Sequence, residues 1–246
     1  MASGEDRALS KTPAAAPRRR LGAGERERQI IEAAIAFFAE VGLDGNTREL
    51  ARRIGITQPL LYRYFPSKEQ LLERIYEELY IRRWKPEWEA LMADRSLPVM
   101  ERFRRFEKDY QRTILTHDWL RIFVSSGLQG YAFPTRYLAR VKEWIFTPVL
   151  AELRREMKLP APDALPLSAG EYELLFALHG ALVYAGIRRY VYAMAVPDDL
   201  EAGMDATLDA FLPGMPAVLR RLVAEAEAVQ RAAVAGPASR PRIIAR

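Results

Sequence analysis

Between Gly45 and Lys68 the chain places Arg48, Arg52, Arg53, Arg63 and Lys68 against a single acid, Glu49, and two phenols, Tyr62 and Tyr64, flank Arg63. Guanidinium, ammonium and phenolic groups on one small surface are donors to phosphate oxygens, and an Arg can also donate bidentately to a guanine edge. The net charge of the whole chain is only +5, so the location of this surplus carries more information than its total. Charged helix faces are often no more than solvated surface. What separates a polyanion-binding face from that is the set of elements that position it.

Other chemistry is largely excluded. With no cysteine in 246 residues, disulfides, thiolate metal sites and thiol catalysis drop out together, which fits a reducing cytoplasm. Only two histidines occur, His117 and His179, with no H-E-x-x-H spacing, so neither a zinc site nor any other metal or cofactor is expected. Ser125-Ser126-Gly127 lacks the G-x-S-x-G elbow, and there is no glycine-rich phosphate loop. Glu77-Glu78 reads as part of a solvated helix face. The expectation is a protein that is not an enzyme. A helical enzyme whose active site escapes motif reading is the rival.

The positioning elements read as helices throughout, with no strand alternation and no internal repeat. Ile30, Ala34, Phe37 and Val41 repeat at helical spacing, and Gly42 supplies a stop. Short helices follow at Thr47 to Ile54 and from Gln58 to about Phe65, separated by Gly55. Ser67 to Gln70 has capping-box form and opens a long helix to about Trp84. Pro86 and Pro98 punctuate the next stretch. Further helices are expected from Pro98 to Thr116, from Trp119 to Leu128, and from Pro134 to Lys158 with a kink at Pro148. Leu159 to Pro166 is a loop. Ser168 to Glu171 caps a helix running to Ala195, and a last pair runs from Asp198 to Leu212 and on to Val234. No stretch reads as a signal peptide or membrane span.

Thr47 to Lys68, TRELARRIGITQPLLYRYFPSK, has the spacing of two crossed short helices. Ala51 permits close approach, and Gly55 tolerates the turn. Leu50, Ile54, Ile56 and Leu61 close a small core, leaving basic and phenolic residues outside. The run from Arg28 to Tyr76 resembles the DNA-binding domain of tetracycline-repressor-like (TetR) regulators. The likeness rests on IIEAAIAFFAEVG, TRELARRIGITQPLLYRYFPSKEQLL and the arrangement Leu61, Tyr62, Phe65, Ser67, Lys68, Glu69. The loop between Gly42 and Ala51 is one residue shorter than the family's usual one.

The resemblance implies an all-α chain with a three-helix DNA-binding domain and a larger helical body for ligand binding and dimerisation. Its expected bounds are a basic tail at 1–22 containing Arg18 to Arg20, a helix-turn-helix domain at 23–70, a body at 71–235 and a tail at 236–246. Thr47 would hold a phosphate and Arg48 would reach a base. Gln58, Pro59 and Leu60 would face base edges, with Tyr62, Arg63, Tyr64 and Lys68 on the DNA backbone. A homodimer would read a palindromic operator. Its interface would include the stripe Ala177, Ala181 and Ala185, although Ala also simply favours helices. A hydrophobic effector would sit among His117, Trp119, Phe123, Tyr131, Phe133, Trp144, Phe176 and His179, residues that serve a plain core equally well. Effector binding would release the DNA. A ligand-independent DNA-binding protein and a helical module for another anionic partner are the remaining alternatives.

Overall fold

The structure, a computed structural model, describes residues 22–197 and 199–235. The two expected tails, apart from Gly22, and the Arg18 to Arg20 cluster lie outside the described residues. All regular structure among the described residues is helical.

Helix α1 (Ala23–Val41) buries Ile30, Ala34, Phe37 and Phe38. Val41, placed inward by the periodicity, is 42% exposed, because the helix stops there and Phe38 takes the inward position. The stop is Gly42 at φ 84°, whose N–H bonds Phe38 O. A Cβ at Gly42 would also lie 2.8 Å from the Gln129 amide. Helices α2 (Thr47–Ile54) and α3 (Gln58–Tyr64) follow, with Leu50, Ala51 and Leu61 buried between them and α1. The turn residue Gly55 sits at φ 74°, ψ 32°, the left-handed conformation that costs glycine least. Helix α4 (Lys68–Tyr76) is capped by Ser67 Oγ, which accepts from Gln70 N at 3.2 Å.

The long fourth helix is not uniform. It continues through a π-helical turn at Glu77–Ile81 and ends. Pro86, read from sequence only as punctuation, occupies the first turn of α5 (Pro86–Ala93), where its missing N–H costs nothing. Helices α6 (Val99–Ile114) and α7 (His117–Leu128) follow. The expected helix from Pro134 begins at Phe133 as α8 (Phe133–Val141), passes through a second π turn at Lys142–Phe146, and continues as α9 (Thr147–Glu156). The π turn immediately precedes Pro148, which has no backbone donor, and Lys142 O accepts from both the backbone N–H and the Oγ1 hydroxyl of Thr147, the latter at 2.9 Å.

In α10 (Ala169–Tyr190), Ser168 and Glu171 form the expected reciprocal cap. The helix stops five residues before Ala195. Ala193 takes φ 53°, Met194 N turns back to Arg188 O, and Pro197 bars continuation. The next helix, α11, spans Glu201–Phe211 and not 198–212; Asp198 lies outside the described residues. α12 (Met215–Ala235) completes the chain.

The body's core is aromatic. Trp119, Phe123, Phe133, Tyr137 and Tyr76 surround Tyr80 at ring separations of 5.1–6.2 Å. The buried pair Arg154–Glu171, at 2.6 Å, fastens the loop after α9, since Arg154 also donates to Pro160 O, Leu165 O and Pro166 O.

Candidate nucleic-acid interface

Local chemistry builds the two short helices. Asn46 starts α2 by accepting from Arg48 N at 2.8 Å, and Thr57 starts α3 by accepting from Leu60 N at 3.3 Å. The shortened loop therefore ends with Asn46 as the cap and Thr47 as the first helical residue. Thr47 is only 6% exposed. Its hydroxyl lies 2.9 Å from Tyr62 OH and accepts from Gln58 Nε2 at 3.1 Å. One hydroxyl thus joins α2 to two residues of α3 and sets how the helices cross.

The outer face carries Arg48, Pro59, Tyr62 and Arg63 exposed, with Gln58, Leu60, Tyr64 and Lys68 half-buried. The charge on this face is smaller than a count along the chain suggests. Arg52 donates to Glu49 at 2.6 and 2.8 Å, and Arg53 is held by Glu40 at 2.6 Å and by Glu49. Arg52 first, and then Arg53, hold the Glu49 carboxyl down at about 2. Arg48 and Arg63, by contrast, form no ion pair with any described residue. Lys68 lies 5.9 Å over the Phe38 ring at the start of α4. The cations free to meet an external anion are therefore Arg48, Arg63 and Lys68, grouped around the first turn of α2, the exposed side of α3 and the start of α4. Glu40, eight residues N-terminal to Arg48 and on another helix, is the partner a reading of the Gly45 to Lys68 segment misses.

This head is fastened to the body by α7. Arg121 donates to Ala39 O at 2.6 Å and Glu40 O at 3.4 Å, at the end of α1, and to Tyr190 O at 3.3 Å, at the end of α10. Gln129 Oε1 accepts from Leu43 N at 2.8 Å, and Tyr131 OH donates to Asp44 at 3.1 Å. Neither Arg121 nor Gln129 stands out in the sequence, because their partners lie about 80 residues away along the chain.

The structure divides the proposed effector residues into separate groups. Trp119 and Phe123 stack at 4.8 Å and pack with Phe133 around Tyr80, and Tyr131 touches Phe133 at 6.3 Å. Phe176 and His179 meet the other side of the core at Phe146, at 5.0 and 5.9 Å. Trp144 lines a surface cleft of about 660 Å³ with Met92, Pro148 and Glu152. His117 is exposed at the start of α7, bonded to Asp118. Along α10, Ala177 and Ala181 are exposed, Ala185 is half-buried, and Tyr184 is 49% exposed.

Two crossed short helices joined by a left-handed glycine, set on a helical body, define a helix-turn-helix protein. Residues 30–75 match the sequence profile described as "Bacterial regulatory proteins, tetR family". Over that stretch, the helix-turn-helix head, the chain is similar to that family. It is similar to the tetracycline repressor protein class A from transposon 1721 of Escherichia coli, 45% identical over 51 residues. That match covers 20% of this chain and 24% of the repressor, so only about a quarter of that relative's length is spanned. The HTH-type transcriptional regulator BetI of Cronobacter sakazakii is 26% identical over 140 residues, 54% of this chain and 67% of BetI. A crystal structure of a TetR-like transcriptional regulator from Rhodococcus sp. RHA1 superposes with a TM-score of 0.56 at 21% identity, covering 83% of this chain and 99% of that one, a likeness of fold. Among the described residues no group of side chains is arranged to hold a metal ion, and no helix is long and apolar enough to cross a membrane.

Proposed function

We propose that this protein regulates transcription as a cytoplasmic homodimer that binds a palindromic DNA operator, represses from it, and is released when a small molecule enters the helical body. The observation that carries the reading is the set of exposed cations, Arg48 and Arg63, left without acidic partners beside Tyr62 on the outer side of α2 and α3. An exposed guanidinium pair on a preformed helix-turn-helix suits a major groove, with the first turn of α3 toward the bases. Thr47, buried between Gln58 and Tyr62, acts in this reading by positioning those two side chains. Repression is the mode named in the tetracycline repressor that the head resembles. The stripe Ala177, Ala181 and Ala185 on α10 supports pairing through that helix, since small residues let helices approach closely.

Footprinting on the DNA upstream of the protein's own coding sequence is the direct test. Protection of two half-sites about one helical turn apart, with affinity that falls as salt rises, is expected. Uniform, weak binding to every duplex, or protection of a single half-site by a monomer, overturns the reading.

A further inference from the structure

Four charged side chains are completely buried among the described residues: Arg102, Glu107, Arg154 and Glu171. Three of them are in ion pairs, Arg154 with Glu171 at 2.6 Å and Arg102 with Glu152 at 3.1 Å. Glu107 is the exception, with no Arg or Lys against it among the described residues. Its Oε2 accepts from Gln111 Nε2 at 3.2 Å, while Oε1 has no hydrogen bond. His179 Nδ1 stands 3.7 Å from that oxygen, too far for a hydrogen bond, and is itself unpartnered, as is Gln111 Oε1. Three polar atoms on residues no more than 6% exposed, and the buried hydroxyl of neighbouring Tyr110, thus have no hydrogen-bond partner. Buried carboxylates and amides are otherwise satisfied in folded proteins, and an uncompensated buried carboxylate disfavours the fold that contains it.

The surroundings share a character. Tyr110 and Phe146 lie 5.4 and 5.9 Å from the His179 ring. Tyr110 is pushed well above its ordinary phenol value by burial, so it remains neutral. From Tyr110 a run of ring contacts leads outward through Trp88 and Trp84 to Trp144, at 5.4, 5.2 and 5.3 Å. Trp144 opens onto the cleft of about 660 Å³, whose lining holds Glu89, Glu143 and Glu152 against one cation, Arg95. Trp144 and Phe146, at the two ends of this route, both belong to the π turn Lys142–Phe146. Such turns have a loosened hydrogen-bond ladder and recur at functional sites.

We infer that Glu107, Gln111 and His179 anchor the effector, and that the effector is a primary amine on a compact apolar body. An ammonium carries three donors and no acceptor, matching Glu107 Oε1, Gln111 Oε1 and His179 Nδ1, which accepts in the tautomer that carries its proton on Nε2. Aromatic faces along the route attract the same cation. The acidic cleft collects it, and displacement of Phe146 with its π turn admits it. This assignment rests on the sensor reading above for its biological meaning, but the binding event stands apart from DNA.

The test uses the full chain with phenethylamine and butylamine, and with 2-phenylethanol and 3-phenylpropionate as neutral and anionic counterparts. Calorimetry and thermal shift are read without DNA, and operator affinity is read separately. At least one amine is expected to bind and raise Tm, while the alcohol and the acid do neither. Glu107→Gln, nearly equal in volume, is expected to weaken amine binding by about tenfold or more and to raise the Tm of the free chain. Equal shifts from alcohol and amine, or no binding of either amine, overturn the assignment. So does a Glu107→Gln chain that unfolds or melts lower, since the carboxylate would then be a structural group. If amines bind through Glu107 but leave operator affinity unchanged, the site stands and the sensor reading fails. If only the alcohol or the acid releases DNA, sensing stands and this site fails.

Discussion

Arg48 and Arg63 differ from Arg52 and Arg53 only in their neighbours. All four belong to one short basic stretch, yet Glu40 and Glu49 answer the second pair and leave the first available. In the proposed complex Arg48, on the first turn of α2, can reach a base edge, so Arg48→Ala should cost about 1–3 kcal/mol on the operator and narrow the gap to random DNA. Arg63→Ala should weaken every sequence alike and reduce the salt slope by about 1. Anisotropy titrations on operator and scrambled duplexes at several salt concentrations separate the two, and equal losses on both duplexes for Arg48→Ala would count against its base contact. Arg52→Ala, already paired to Glu49, should change the salt slope far less than Arg63→Ala.

Caps, glycines and π turns decide the elements. Gly55 holds φ 74° with open space around it, so an added Cβ meets no atom within 4 Å. Gly55→Ala should therefore cost about 1 kcal/mol through backbone strain alone, read as a lower urea midpoint with an unchanged m-value. Glu152 illustrates electrostatics between elements. It binds Arg95 at 2.7 Å, Arg155 at 2.9 Å and Arg102 at 3.1 Å, and Arg95 first, with Arg155, holds its carboxyl at about 2. A depressed carboxylate stabilises the fold above its unfolded value of 4.5 and loses that contribution as pH falls toward about 2. Denaturation midpoints should drop across that window in the wild type, and Glu152→Gln should flatten the drop. An identical acid profile in the variant would assign the loss to other carboxylates.

The whole molecule is organised around α7, which holds the ends of α1 and α10 at once. Through Arg121 the helix-turn-helix head is fixed relative to the helix proposed to pair two subunits. A dimer reads two half-sites only when its heads are held at a defined spacing. Arg121→Ala is therefore expected to lower operator affinity by about tenfold, and to speed amide exchange at Ala39 to Leu43, with only a small change in Tm. Unchanged exchange in that segment would remove Arg121 from the link.

Much of this was legible in the residues themselves, because local chemistry acts over a few positions. Helical periodicity in α1, the Ala51–Gly55 turn and the reciprocal cap of Ser168 and Glu171 depend on neighbours within one or two turns. The head could be read with its motif: Leu50 and Leu61 are buried where the spacing placed them, while Ile54 and Ile56 are only partly buried against that core. Only tertiary packing could decide the rest. It neutralised Arg53 with Glu40, turned Thr47 inward, ended α10 at Tyr190, and left Glu107 buried without a cation. Each of these outcomes depends on which distant side chain, or which missing one, comes within a few ångströms, and spacing along the chain does not encode that distance.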